Sequence, residues 1–241
     1  MTQVKTTFNL NGAEVPALIC SRGIGNSVVI NLHGLDVSKE VNITDMGRLE
    51  TAGLWSVTLD APHHGERSDG YLDIMRNANR REAYLMLLGI INQGAAEVAD
   101  LVHYFKSQGK KVAVSGISMG AYTAYALMMM NREVDLFAAF MGNPDFRYKG
   151  SNVFSYLEKS GPIDNIEGIF PANLFIVNAG SDDIVDPDGA RRFFNGIKPY
   201  YKDAPEKLEY HEYPESGHLM RPEDWFDAWD ALIARLRREG F

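Results

Sequence analysis

The sequence predicts an α/β protein with a mostly parallel central sheet, an antiparallel N-terminal hairpin and helices on both faces. Three observations carry that expectation. After two strand-like segments joined by Asn11-Gly12, β-rich apolar runs alternate with helical patterns to the end of the chain, as parallel strands linked by crossover helices require. The runs at 27–32, 136–141 and 173–178 are nearly unbroken in apolar character, which marks strands covered on both faces. The residues with chemical character fall just beyond these runs, where sites in such sheets lie.

Each element has its own signal. Segments 4–10 and 15–20 flank Asn11-Gly12, a pair suited to the positive φ angles of a tight hairpin. The strand at 27–32 leads into His33-Gly34-Leu35-Asp36. A helix over 41–52 is stopped by Gly53, and a strand at 54–59 runs into Asp60-Ala61-Pro62-His63-His64-Gly65-Glu66-Arg67. Tyr84, Leu87, Leu88, Ile91, Ala95, Val98, Val102 and Phe105 recur at intervals of three or four, so 81–105 is a long amphipathic helix. A strand over 110–115 and a helix over 121–130 enclose Gly116-Ile117-Ser118-Met119-Gly120.

Segment 143–170 lacks a period and carries Gly150, Gly161, Pro162 and Gly168. It is too short for a separate domain, so 1–241 reads as one domain in which 143–170 is the size of a small cap. The strand at 173–178 ends in Ala179-Gly180-Ser181-Asp182-Asp183. Asp186-Pro187 then supplies an N-cap and first-turn proline for a helix to Phe194. A last strand covers 207–213, and the final helix buries Trp225, Trp229, Leu232 and Leu236 along one stripe.

Composition excludes several classes. With 45% hydrophobic and 23% charged residues the 241-residue chain can bury a substantial core. Its formal charge of −8 argues against nucleic acid or an anionic membrane as partner. Arg235, Arg237 and Arg238 read instead as cations in the last turn of the final helix. Cys20 is the lone cysteine, so neither an intrachain disulfide nor a cysteine-based metal site is expected. The first twelve residues lack the basic and apolar regions of a signal peptide, and no unbroken apolar run reaches the length of a membrane span. The expectation is a cytoplasmic protein.

Gly116-x-Ser118-x-Gly120, between a strand and a helix, has the spacing of a sharp turn that exposes a serine at the sheet edge. A serine hydroxyl needs a base to take its proton and an acid to hold that base. Of the six histidines, His103 lies in a helix and His211 in a strand. His33 shapes a loop, and the neighbours His63 and His64 cannot easily address one metal ion. His218 follows the last strand beside Gly217 and is the candidate base.

Asp183, three residues after Gly180 and just before Ile184-Val185, is the preferred acid; Asp182 competes with it, while Asp186 is better used as a cap. Negative charge on a reacting carbonyl oxygen requires two backbone donors. Met119, the residue after the serine, and Leu35, in the loop after the strand at 27–32, are the candidates for that oxyanion hole. A dinucleotide fold would share the alternation, but Gly23-x-Gly25-x-x-Val28 precedes a strand instead of following one.

With these motifs in the order Ser118, acid, His218, together with His33-Gly34 and Asp60-x-Pro62-x-His64-Gly65-x-Arg67, the chain resembles the α/β-hydrolase superfamily. It is most similar to small bacterial carboxylesterases of the prolyl-oligopeptidase-like and dienelactone-hydrolase-like group, from about residue 27 to the C-terminus. The resemblance implies the α/β-hydrolase fold with a small or absent cap. It also implies a cofactor-free serine esterase that acts on small-molecule esters through an acyl-enzyme, with Leu35 and Met119 as oxyanion donors. No second glycine follows His33-Gly34, which points away from triacylglycerols and bulky tertiary esters. Tyr71, Met75, Phe146, Tyr148, Phe154 and Tyr156 fall in irregular segments that could line a pocket over Ser118. Arg67 is assigned to tying its own loop to Asp60 or Asp69.

Overall fold

The computed structural model describes residues 3–20, 25–131 and 133–241. Strands β1 (Gln3–Leu10) and β2 (Ala13–Cys20) form the hairpin expected around Asn11-Gly12, whose φ angles are 48° and 79°. They are followed by β3 (Ser27–Leu32), β4 (Ser56–Leu59), β5 (Lys111–Ile117), β6 (Leu136–Phe140), β7 (Leu174–Ala179) and β8 (Leu208–Tyr213). Among the described residues these strands make one eight-stranded sheet in the order β1-β2-β4-β3-β5-β6-β7-β8. Pairing is antiparallel from β1 to β2 and from β2 to β4, and parallel across the remaining pairs. Gly23 of the glycine pattern weighed above lies outside the described residues.

Alternation along the central strands sorts the helices into two layers. Val28, Ile30, Val112 and Val114 face a core shared with α2 (Tyr71–Asn77), α3 (Arg80–Ser107), α4 (Met119–Met130) and α5 (Pro187–Ile197). Val29 and Ala113 face the opposite way, onto α1 (Ile43–Thr51) and α6 (Pro222–Arg238). Buried Trp229 of α6 stacks on Phe140 of β6, with ring centroids 5.1 Å apart. In a right-handed parallel sheet this places the N-termini of the crossover helices at the carboxyl edge of the strands.

Several expected boundaries shift. The helix foreseen over 41–52 begins as a 3-10 turn at Lys39–Asn42 and becomes α-helical at Ile43. Helix α2 was not foreseen. Helix α3 starts at Arg80, where the Asn79 side chain accepts a hydrogen bond from the Glu82 amide and so satisfies one orphan donor. Asp186 caps α5 in the same way, through Asp188 N.

Although the sequence shows no unbroken apolar run of span length, α3 meets that test by length and composition: its most apolar 18-residue window has a mean hydropathy of 1.4. Half of that window is buried, as in a core helix. Segment 143–170 is three 3-10 turns around the fully buried Phe146 and Ile169. The last turn of α6 carries the arginines as expected; Arg235 is buried and bonds Asn173 and Glu209.

Candidate active site

Ser118 stands between the last residue of β5 and the first of α4, with φ 53° and ψ −117°. The sharpness of the turn depends on the two glycines. A Cβ on Gly116 would sit 2.0 Å from the Gly120 carbonyl oxygen, and one on Gly120 would sit 2.2 Å from the Leu32 carbonyl oxygen. Both contacts are with backbone, so no side chain can yield to relieve them. The serine is held by its own amide, which donates to Phe140 O at 2.9 Å.

His218 reaches it from the loop after β8. Its Nε2 lies 3.0 Å from Ser118 Oγ and its Nδ1 lies 2.7 Å from Asp182 Oδ2. With Nδ1 donating to the carboxylate, Nε2 is left as the acceptor for the serine hydroxyl. The loop is pinned by buried Ser216, whose Oγ donates to Asp224 at 2.7 Å and accepts from Arg221 N at 3.0 Å.

The acid beside His218 is therefore Asp182, and the preference for Asp183 is corrected. Asp182 is buried, and its Oδ1 accepts the amides of Ile184 and Val185, each at 2.9 Å. These bonds close a turn that holds the first aspartate under the imidazole and leaves Asp183 exposed. The apolar pair Ile184-Val185 does anchor the loop, but through its backbone amides and onto the preceding carboxylate.

Met119 opens α4, so its amide has no helical carbonyl four residues back and points out at the helix's positive end. Leu35 lies across from it in the same cleft, and a Cβ on Gly34 would be 3.6 Å from Ser118 Cβ. The Leu35 loop is braced from β4. Buried Asp60 accepts from Lys39 N at 3.0 Å, Lys39 Nζ at 2.7 Å and Glu66 N at 3.0 Å. Burial opposes the Lys39 charge, but the Asp60 and Glu66 carboxylates outweigh it and hold the amine above its ordinary range.

His33 has the loop-shaping role assigned to it. Its Nε2 accepts from Ala61 N at 3.0 Å, and its Nδ1 lies 2.7 Å from Gly34 O. Burial pushes its pKa down to about 4, so the ring is neutral near pH 7. Arg67 is structural as expected: it bonds the Asp60 carbonyl, and it also makes an unforeseen bidentate pair at 2.7 Å with buried Glu97 on α3. His63 and His64 diverge, the first toward Asp69 and the second toward Pro62 O.

A cleft of about 740 Å³ opens over Ser118, lined by Leu35, Met119, Tyr84, Leu87, Tyr122, Val185, Trp225 and Phe226 among others. Val37, Val41, Ile184 and Leu219 form exposed apolar lips, Leu219 being 93% exposed. None of Tyr71, Met75, Phe146 or Tyr148 lines the cleft, which corrects the expected pocket. Phe146 stacks behind Tyr122 and Tyr148 packs on Tyr84, so each supports a wall from the rear. Tyr71 stacks on His63, and Met75 is buried in the core. Segment 143–170 contributes no residue to the lining, Phe154 and Tyr156 included.

The lining aromatics come instead from the first turns of α3, α4 and α6, which converge at the sheet's carboxyl edge. Sequence periodicity had assigned Tyr84 and Trp225 to buried stripes. Their places near the N-termini of their helices were the available signal that they front the site.

Fold and site together define an α/β-hydrolase-fold protein carrying a serine-histidine-aspartate constellation. No family model matches the chain. A protein of Bacillus subtilis described as "Putative esterase YitV" is 20% identical over 234 residues, covering 84% of this chain and 89% of its own. Among solved structures, TT1662 from Thermus thermophilus superposes with a TM-score of 0.76 at 22% identity, over 99% of this chain and 98% of that one. The Pyrococcus furiosus esterase Pf2001 superposes with a TM-score of 0.69 at 15% identity, over 98% and 92%.

Proposed function

We propose that the chain is a serine hydrolase that cleaves small carboxylic esters through an acyl-enzyme. The observation that carries this reading is the continuous hydrogen-bonded line Ser118 Oγ, His218, Asp182, with distances of 3.0 and 2.7 Å, at the floor of an apolar cleft. The esterase names of relatives support it.

Ser118 Oγ attacks the ester carbonyl carbon as its proton passes to His218 Nε2. Asp182 stabilises the imidazolium that results and keeps the ring in the required tautomer. The amides of Leu35 and Met119 donate to the carbonyl oxygen as it becomes negative. Collapse of the tetrahedral species breaks the bond to the alcohol oxygen, which leaves with the proton from His218. A water deprotonated at the same nitrogen then attacks the acyl group and regenerates Ser118.

The test is direct. Purified protein is expected to hydrolyse p-nitrophenyl acetate and butyrate, with a burst of p-nitrophenol when deacylation is the slower step. A fluorophosphonate is expected to label one residue, Ser118, and to stop turnover in proportion to labelling. Turnover that persists in fully labelled protein overturns the reading.

A further inference from the structure

Asp45 is a carboxylate in the cleft that ester cleavage by Ser118, His218 and Asp182 leaves unused. It lies in the first turn of α1 and is only 5% exposed. Its Oδ1 accepts from Trp225 Nε1 at 3.1 Å and lies 3.8 Å from Arg48 Nε. Among the described residues no donor pairs with Oδ2. Burial pushes this carboxyl up to about 6, against the Trp225 hydrogen bond and the Arg48 charge, so it is ionised near neutral pH.

The arginines nearby stand outside the cleft lining. The cleft lining includes Asp36 and Asp45 and, among the described residues, no lysine or arginine. Arg48, outside this lining, places its guanidinium 4.1 Å over the Phe226 ring, and Arg76 is engaged by Asp36 and Asp73, each at 2.6 Å. Trp225 meets the carboxylate with its ring edge, through Nε1–H, and the Phe226 ring is covered by Arg48. A buried carboxylate with one oxygen free of donors matches an ammonium group in charge and in donor geometry. A carboxylate on the substrate would meet like charge there.

We infer that this cleft selects carboxylic esters bearing an ammonium group, bound by Asp45, over neutral isosteres and over esters bearing a carboxylate. The inference rests on ester cleavage at Ser118, and its test separates the two. Methyl 6-aminohexanoate, methyl heptanoate and monomethyl pimelate place a cation, a methyl group and an anion at similar reach on the acyl side. 2-(Dimethylamino)ethyl butyrate, protonated near neutral pH, and its isostere 3-methylbutyl butyrate make the same comparison on the alcohol side.

With the full chain at about neutral pH, the ammonium ester of at least one pair is expected to exceed its neutral isostere in kcat/KM by roughly tenfold or more, through KM, as a charge-assisted hydrogen bond provides. The carboxylate ester is expected to fall below both its acyl-side counterparts. In Asp45→Asn the ratio of ammonium to neutral ester drops toward one. A ratio unchanged by that substitution, including equal loss on both esters, overturns the inference and leaves Asp45 only as the tie to Trp225. Should Asp45→Asn fail to fold, inhibition of the unaltered protein by hexylammonium and by hexanol decides: stronger inhibition by the cation supports the inference, equal inhibition overturns it. Turnover without cation preference sinks the selection alone, whereas no turnover of any ester sinks the hydrolase reading with it.

Discussion

Ser118→Ala lowers kcat for p-nitrophenyl butyrate by about a million-fold, the scale on which a triad nucleophile is lost. The alanine keeps the Cβ that the turn already accommodates, and the amide bond to Phe140 O is untouched. Fold and cleft therefore persist, with unchanged circular dichroism and a similar denaturant midpoint. What remains is the slow hydrolysis that bound water and the Leu35 and Met119 amides support on their own. Full residual activity with the fold intact would remove the serine mechanism. Covalent labelling of the variant by a fluorophosphonate would locate the nucleophile elsewhere.

Asp182→Asn costs about ten-thousand-fold in kcat, because an amide in place of the carboxylate disturbs the tautomer of its histidine and cannot balance the imidazolium charge. The neighbouring Asp183→Asn stays within about threefold of the unaltered protein, as expected of an exposed side chain away from the reacting atoms. The pair forms an internal control, since both changes remove one negative charge within one turn of chain. Asp182→Asn also exchanges a charged acceptor for a neutral one at the Ile184 and Val185 amides. Some loss of stability should therefore accompany the loss of rate. The reverse outcome, with Asp183 essential and Asp182 dispensable, would mean that the loop rearranges when substrate binds.

Much of the fold was legible because its signals are local. The Asn11-Gly12 turn, the apolar runs and the three-to-four spacing in α3 each depend on residues close together in sequence. The order of serine, acid and histidine was legible for the same reason, each lying just past a strand. Two other features depend on contacts made across the fold. Asp182 and Asp183 are adjacent carboxylates in similar company, and only the hydrogen bonds from Ile184 and Val185 decide which one turns inward. The cleft walls were missed because a tyrosine or tryptophan on an apolar stripe looks the same whether its turn faces core or cleft. Tyr84, Tyr122 and Trp225 front the site because their turns begin at the carboxyl edge, and Asp45 joins them through Trp225.

The backbone at Ser118 has a consequence for heat resistance. A serine at φ 53° and ψ −117° occupies a conformation that disfavours any side chain and costs on the order of 1–3 kcal/mol. Native contacts around the turn hold it there against its own preference. Glycine in ordered structure is ordinarily less stabilising than alanine by about 0.5–1 kcal/mol, yet here that ranking should invert. Ser118→Gly relaxes the turn while Ser118→Ala keeps it under tension, so the glycine variant should melt a few degrees higher, roughly 2–4 °C per kcal/mol for a chain of this size. Both variants are expected to be catalytically silent, and their difference in Tm would then measure how much folding stability is given up to hold the Ser118 hydroxyl upright.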